Sequence, residues 1–177
     1  MLLHRTILTT PIGDMLALSS SEGLCALEFD SAQRHERLDA RLRRWFPEYE
    51  IVEGETAILG RTRDWLSAYF GGAVAHPSTL PLDLRGAPFE LRVWGALRTI
   101  PVGEWRSYGD IAKQLGAPGA SRAVGAANGA NPVAIVVPCH RVIGASGSLT
   151  GYGGGLHRKS WLLDHERRWT RKEMRLF

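Results

Sequence analysis

Residues 131–142 read NPVAIVVPCHRV, an apolar run that leads directly into a cysteine and two basic residues. The mostly β-branched residues from Val133 to Val137 predict a short buried strand or extended segment, which the following proline ends. The chain thereby places the thiol of Cys139 at the end of a rigid element, with His140 and Arg141 beside it. Neighbouring cations lower the pKa of a thiol and favour the reactive thiolate. The stretch therefore predicts a nucleophilic cysteine.

The common alternative for a lone cysteine is an inert, buried structural role. A cysteine followed at once by His140 and Arg141 fits that alternative poorly, so we favour the functional interpretation. Successive side chains of an extended backbone point to opposite faces, so His140 need not touch the Cys139 sulfur. We expect His140 either to act on the thiol through a water or to serve another side of the site.

The pentapeptide PCHRV at residues 138–142, with NP before it at 131–132, resembles the active-site signature of one family. This family is the O6-alkylguanine-DNA alkyltransferases, also called methylated-DNA–protein-cysteine methyltransferases. The resemblance is strong over residues 88–166 and weaker before them. It implies an α/β protein with an N-terminal β-sheet domain with helices, ribonuclease H-like, and a C-terminal, mainly helical domain with a winged helix-turn-helix.

Composition limits the classes of protein that fit. The chain has 177 residues, enough for one sizeable core or two small ones, and no apolar run approaches membrane-spanning length. The start of the chain has too short an apolar stretch for a secretory signal. With only Cys25 and Cys139 there is no disulfide framework, which fits a cytoplasmic location. We expect Cys25, on one face of a strand, to be an inert core residue.

Charge is distributed unequally along the chain. Residues 1–87 contain nine Lys and Arg against twelve Asp and Glu, whereas residues 88–177 contain thirteen against six. A basic half that carries the cysteine motif indicates a polyanionic partner. The expected organisation is an α/β domain over 1–76, a connector rich in proline and glycine over 77–87, and a DNA-binding, alkyl-accepting domain over 88–177.

Periodicity predicts the elements of the first half. A hairpin is expected from strands at Met15–Ser19 and Leu24–Phe29, and helices are expected over Ala32–Phe46 and about Ile58–Phe70. One face of the first helix carries four arginines, Arg34, Arg37, Arg41 and Arg44. Such a face can bind nucleic acid or membrane, but nearby acidic residues dilute its charge, and we interpret it as solvated.

In the second half, Pro88 is expected to open a helix that Pro101 closes. Ser107 then predicts the N-cap of a short helix, and a glycine-containing turn joins it to another over about Ala120–Asn128. Two short helices joined in this way are typical of a helix-turn-helix.

At about 100° per residue, the second of these helices has a buried stripe and an opposite face with a single long side chain. The predicted stripe is Ala120, Ala123, Val124 and Ala127, and the opposite face is Arg122, Gly125, Ala126 and Gly129. Small residues permit close approach to a nucleic-acid surface such as a narrow minor groove. Packing between helices is the alternative, which suits Ala123 and Ala127 but not Arg122. The resemblance implies minor-groove binding, with Arg122 in the place of an extruded nucleotide.

The resemblance also implies a set of site residues. Cys139 would accept the alkyl group, His140 would act as base, Glu166 would orient it, Tyr108 would protonate the departing guanine, and Asn131 would hold the active-site turn. Contacts to substrate and DNA would come from Ser121, Arg122, Ala123, Gly125, Ala126, Ala127, Arg141, Val142, Tyr152 and Gly153. No metal or organic cofactor is expected. The expected partner is double-stranded DNA containing O6-alkylguanine, bound by a monomer, with cooperative binding left open.

The function that the resemblance implies is direct reversal of DNA damage. Cys139 would take the alkyl group of O6-alkylguanine in an irreversible single turnover, with activity on O4-alkylthymine left open. A non-catalytic helix-turn-helix regulator would explain the helices and the charge but not Cys139 and His140. A cysteine hydrolase would explain these two residues but not the bare helix with Arg122.

Overall fold

The structure, a computed structural model, describes residues 1–73 and 79–174, with side chains described up to residue 171. The chain forms two compact units. The first contains residues 1–86 together with Pro132–Ala134, and the second contains Ala87–Asn131 and the residues from Ile135 onward. Part of the expected connector, residues 77 and 78, lies outside the described residues. The α/β class expected from the sequence is confirmed.

The first unit is built on a mixed four-stranded sheet with the order β3-β2-β1-β4. Its strands are β1 (Leu2–Leu8), β2 (Met15–Ser19), β3 (Leu24–Phe29) and β4 (Glu50–Glu53). The first three pair in antiparallel fashion, and β4 runs parallel to β1. The predicted hairpin is confirmed, with Met15 opposite Phe29. The described end of the expected connector belongs to this sheet region, because Leu82 forms a bridge with Leu24.

Two helices complete the first unit, α1 (Ala32–Trp45) and α2 (Ala57–Phe70). Leu38 and Leu42 of α1 belong to a hydrophobic cluster with residues of the sheet. The interpretation of the arginine face as solvated is wrong for Arg34, which is buried and forms an ion pair with Glu28. Arg34 turns inward because the carboxylate on β3 neutralises its charge there.

The second unit is mainly helical. Its elements are α3 (Pro88–Leu97), β5 (Arg106–Ser107), α4 (Tyr108–Gln114), α5 (Ser121–Gly129), β6 (Val142–Ile143) and α6 (Leu156–Met174). Both predicted helix starts are confirmed: Pro88 lies in the first turn of α3, and the Ser107 hydroxyl accepts the Asp110 N–H at 3.1 Å. The Asp110 carboxylate in turn accepts the Ser107 N–H, which completes a capping box. None of the helices described for this chain has the length and apolar character needed to cross a membrane.

The strand predicted for Val133–Val137 is wrong. Only Val133 pairs, in an isolated bridge to Leu27, and the chain then forms a turn. Ile135 has a φ of 69°, in the left-handed region that β-branched residues rarely adopt, so the backbone cannot continue as a strand. All five residues are nevertheless buried, so their apolar character predicted the burial correctly and the conformation incorrectly.

Candidate active site

Cys139 lies in the second unit, in a single 3-10 turn that spans Cys139–Arg141. The residue is 7 % exposed. Two buried asparagine amides hold this turn: Asn131 Nδ2 donates to the Val137 carbonyl at 2.8 Å, and Asn128 Nδ2 donates to the Cys139 carbonyl at 3.3 Å. The backbone on both sides of the thiol is therefore fixed. The sequence interpretation included Asn131 but missed Asn128.

His140 and Glu166 form a buried pair, with Nε2 2.7 Å from Oε1 and both side chains 0 % exposed. Burial lowers the pKa of His140, although Glu166 opposes this, so the ring is neutral at pH 7. A neutral ring that donates from Nε2 to a carboxylate has its acceptor at Nδ1. His140 Nδ1 is buried and has no hydrogen-bond partner among the described residues. The site thus contains a base with an available acceptor.

Arg141 binds the same carboxylate. Its Nε lies 3.0 Å from Oε2 of Glu166, its Nη2 lies 2.9 Å from Oε1, and its Nη1 donates to the Ile100 carbonyl at 2.6 Å. Burial works to raise the pKa of Glu166, but the facing His140 and Arg141 outweigh it and hold that pKa well below its usual range. Arg141 was expected to contact DNA or substrate. The residue is 3 % exposed and its guanidinium is used inside the protein, which argues against that expectation.

Lys159 on α6 is a further buried cation, which the sequence interpretation missed. Its Nζ donates to the carbonyls of Val142 at 2.6 Å and Thr150 at 2.8 Å, so it joins the end of the active-site turn to the start of the glycine-rich loop. Burial lowers its pKa to about 8, and the nearby Cys139 works against that shift. The sequence feature that could have predicted its burial is its position three residues before Leu162, on the apolar side of the helix.

The exposed face of α5 differs in part from the predicted one. Arg122, Ala126 and Gly129 are exposed as predicted, but Ala123 is exposed as well, which corrects its place in the buried stripe. The buried residues of α5 are Val124, Ala127 and Asn128. The buried face turns toward Asn128 because its amide bonds the active-site turn.

The remaining expected contacts occupy different environments. Ser121, Gly125 and Tyr152 are half-buried and Gly153 is exposed. Ala127 and Val142 are buried, which argues against contacts from their side chains; the contact expected of Val142 is one through its backbone carbonyl.

Tyr108 lies at the start of α4 and contacts the loop that precedes the glycines. Its hydroxyl donates to the Thr150 carbonyl at 3.3 Å and accepts from the Thr150 hydroxyl at 3.3 Å. That carbonyl also accepts from Lys159, so Tyr108 is connected to the active-site turn through three hydrogen bonds. A Cβ at Gly125 would lie 3.7 Å from the Tyr108 ring, which places α5 directly beside it.

The comparisons with known sequences agree on one family. Residues 88–168 match the family model described as "6-O-methylguanine DNA methyltransferase, DNA binding domain". The methylated-DNA–protein-cysteine methyltransferase of Mycobacterium tuberculosis is 45 % identical over 181 residues, which covers 99 % of each chain. The protein of the same name from Mycolicibacterium paratuberculosis is 65 % identical over 126 residues, 71 % of this chain and 75 % of that protein.

Solved structures with similar folds point the same way. The structure of Mycobacterium tuberculosis OGT in complex with DNA has a TM-score of 0.77 and 44 % identity, and the match covers 96 % of this chain and 94 % of that one. The O6-methylguanine-DNA methyltransferase of Pyrococcus kodakaraensis has a TM-score of 0.73 at 25 % identity, with 93 % of this chain and 98 % of that one covered.

Proposed function

Because the chain belongs to the methylated-DNA–protein-cysteine methyltransferase family, we propose that it repairs O6-alkylguanine in DNA by moving the alkyl group to its own Cys139. The observation that carries this proposal is the buried turn of Cys139, in which the adjacent His140 is paired with Glu166 at 2.7 Å. This arrangement supplies a nucleophile, a base and a group that orients the base. A non-catalytic DNA-binding regulator has no use for it.

The reaction is a single displacement. The thiol proton of Cys139 passes through one water to Nδ1 of His140, and the thiolate attacks the alkyl carbon. A carbon–sulfur bond forms as the carbon–oxygen bond to guanine breaks, and the electron pair stays on the guanine, which takes a proton from Tyr108. The product is a thioether, which has no good leaving group, so each molecule reacts once.

The pocket for the flipped base is formed by the glycine-rich loop, with Tyr152 as its wall and the Gly153 backbone near the alkylated oxygen. The carbonyls of Cys139 and Val142 accept hydrogen bonds from the guanine amino group. Each of these carbonyls already accepts one side-chain hydrogen bond. A carbonyl oxygen has two lone pairs, so a second hydrogen bond remains available at Val142, whereas the Cys139 carbonyl also accepts the Val142 N–H and exchanges one of its two bonds for the guanine.

DNA binds through α4 and α5, which act as the helix-turn-helix of a winged domain, while the first unit has a ribonuclease H-like arrangement. Ser121, Ala123, Gly125 and Ala126 lie against the minor groove. Arg122 enters the duplex and fills the gap that the extruded base leaves, which offsets part of an unstacking cost of a few kcal/mol. The support for this assignment is an exposed face on α5 that combines small residues with one long cation.

The protein acts as a monomer on duplex DNA, in the cytoplasm. Both cysteines lie in the described part of the chain and neither forms a disulfide, which suits a reducing compartment. The chemistry needs no cofactor, because the acceptor is a side chain of the protein itself.

The test is to incubate the protein with duplex DNA labelled on the O6-methyl group of one guanine. We expect one equivalent of label per protein molecule, on the peptide that contains Cys139, with unmodified guanine left in the DNA. Label released into solution would indicate a hydrolase. Binding of the DNA without any transfer of label would indicate a regulator.

A further inference from the structure

The contacts of Arg141 leave none of its three nitrogens for DNA. Two edges of the guanidinium are occupied: Nε and Nη2 face the Glu166 carboxylate, and Nη1 faces the Ile100 carbonyl. This paired approach is the geometry that arginine makes with carboxylates and that lysine cannot reproduce. Since the residue is also buried, its function must lie inside the second unit.

Glu166 receives hydrogen bonds from three sources. Besides Arg141, the backbone N–H of Gly103 donates to Oε2 at 3.2 Å, and His140 Nε2 lies against Oε1. A carboxylate surrounded by donors keeps no proton of its own and acts only as an acceptor. The hydrogen between the two side chains must therefore belong to Nε2 of His140, which leaves Nδ1 as the acceptor of the ring.

We propose that Arg141 is a positioning residue of the alkyl-transfer reaction: it fixes the Glu166 carboxylate as an acceptor and thereby holds His140 in the tautomer with its acceptor at Nδ1. The proposal rests on the proposed function, in which His140 Nδ1 takes the thiol proton. Two observations support it: the paired contact of Arg141 with Glu166, and a buried Nδ1 without a partner in the described part of the chain.

The charges around His140 give the proposal a consequence for pH. Glu166 and Lys159 act on it from α6, and Arg141 acts on it from its own turn. The segment after α3 contributes the Ile100 carbonyl, which Arg141 occupies. Arg141 and Lys159 oppose a second proton on the ring, whereas Glu166 favours it. Without the charge of Arg141, His140 takes up that proton at a higher pH and loses its acceptor.

The experiment compares Arg141→Met, Arg141→Lys and the wild type, with Arg167→Met as a control for loss of an exposed cation on α6. The rate of transfer from methylated duplex DNA is measured from about pH 5 to 9. In Arg141→Met we expect the acid limb of the profile to move up by about one pH unit, with roughly tenfold slower transfer near pH 5 and a loss of about threefold at most at pH 7. Arg141→Lys should keep the acid limb of the wild type and lower the plateau of the transfer rate, because lysine keeps the positive charge but cannot make the paired contact with the carboxylate. Arg167→Met should match the wild type.

A second readout needs no DNA and no transfer. The ring of His140 is titrated by NMR in the same proteins, with its signals assigned from a His140→Asn variant. We expect its protonation to move to higher pH in Arg141→Met and to stay in place in Arg141→Lys. An unchanged titration together with an unchanged acid limb would overturn the positioning role.

The two readouts also separate this proposal from the function on which it rests. If the wild type transfers no label, the proposed function fails, while the titration still tests the link between Arg141 and His140. If Arg141→Met does not fold, Arg141→Gln takes its place, and the same two shifts decide the outcome.

Discussion

Each of the two units buries one cysteine, and the two thiols have opposite surroundings. Cys25 in the first unit is 3 % exposed, and its Sγ lies 3.5 Å from the Gly23 carbonyl and 3.9 Å from the Asp83 carboxylate. Burial raises the pKa of Cys25 to about 11, and Asp83 adds to this effect. Cys139 in the second unit is buried almost as deeply but has the cation of Lys159 nearby. The two thiols therefore differ in neighbouring charge more than in burial: the effect of Asp83 exceeds that of Arg85 at Cys25, whereas Lys159 lies near Cys139.

Each unit also buries one arginine–glutamate pair, and again the surroundings differ. Both hydrogen bonds from Arg34 end on one oxygen of Glu28, and burial outweighs them and raises the pKa of Glu28 to about 7. Glu166 receives donors on both oxygens, from Arg141, His140 and a backbone N–H, and its pKa is lowered. The direction of the pKa shift depends on whether the facing charges and hydrogen-bond donors outweigh burial, which they do at Glu166 and not at Glu28.

Of the comparisons between the two units, the largest difference in transfer rate should appear when each cysteine is replaced. Cys139→Ser should abolish transfer, because a serine hydroxyl has a much higher pKa and is a weaker nucleophile, while DNA binding persists. Cys25→Ser should leave transfer nearly intact. Label retention and a gel-shift assay on both variants provide the measurement. Transfer by Cys139→Ser at a similar rate would make another residue the acceptor and remove the contrast between the thiols.

The two glutamates should give pH dependences of stability with opposite signs. Glu28 has a raised pKa when folded, so its contribution to the free energy of unfolding is present below its ordinary value of 4.5 and is lost as the pH rises through about 7. That loss amounts to roughly 3 kcal/mol at most. Glu166 has a lowered pKa, so its contribution is present above about 4.5 and is lost as the pH falls.

Urea denaturation over a series of pH values measures both effects. In Glu28→Gln the decline in the free energy of unfolding between about pH 4.5 and 7 should disappear. Glu166→Gln should instead be less stable at neutral pH and lose the decline at acid pH. If Glu28→Gln still shows a decline of wild-type size, other titrating groups cause the decline.

The exposed cations of the two units should differ in their effect on DNA repair. Arg122→Ala should slow repair of duplex DNA roughly tenfold to hundredfold, because nothing then fills the gap in the base stack. This loss corresponds to a free-energy cost of about 1–3 kcal/mol. Its reaction with free O6-benzylguanine, which needs no base flipping, should stay near the wild-type rate. Arg122→Lys should fall between the two, since it lacks the planar group.

Arg43→Ala, which removes an exposed cation near the end of α1, is the matched control and should leave both rates unchanged. Equal loss on duplex and free base in Arg122→Ala would mean that Arg122 supports the fold or the pocket.

The smallest expected difference in transfer rate between the two units concerns one helix cap in each. Thr56 accepts the Leu59 N–H at 3.2 Å in the first unit, and Ser107 accepts the Asp110 N–H in the second. Replacing either by alanine should cost about 1 kcal/mol in the free energy of unfolding, measured by urea denaturation. Only Ser107→Ala should also slow transfer, because it loosens the start of α4 beside Tyr108. Slower transfer in both variants would trace the effect to general stability.

Features with a local signal were predicted well from the sequence. Pro88 and the cap at Ser107 marked their helices because the causes lie within a few residues. The motif around Cys139 predicts a nucleophile, and the resemblance placed Glu166 beside His140, where the structure also has it. The roles of these residues stay predictions until the variants are measured.

Features that depend on distant partners were missed. The left-handed turn at Ile135 has no local signal, because a β-branched run favours a strand. Burial of Arg34 requires a carboxylate on a neighbouring strand, and burial of Lys159 requires carbonyls from two other segments. A charged residue in a helix is ordinarily exposed, so the residue type predicts exposure for Arg34 and Lys159, whereas both are buried.

The low exposure of Cys139 also affects how readily oxidants inactivate the protein. A protein consumed by one reaction is wasted if its sulfur meets peroxide or a small disulfide first, and those reagents need access to the thiolate. With 7 % of the residue exposed, Cys139 offers little surface to such reagents. We therefore expect slow oxidation of Cys139, so that each molecule stays available for its encounter with damaged DNA.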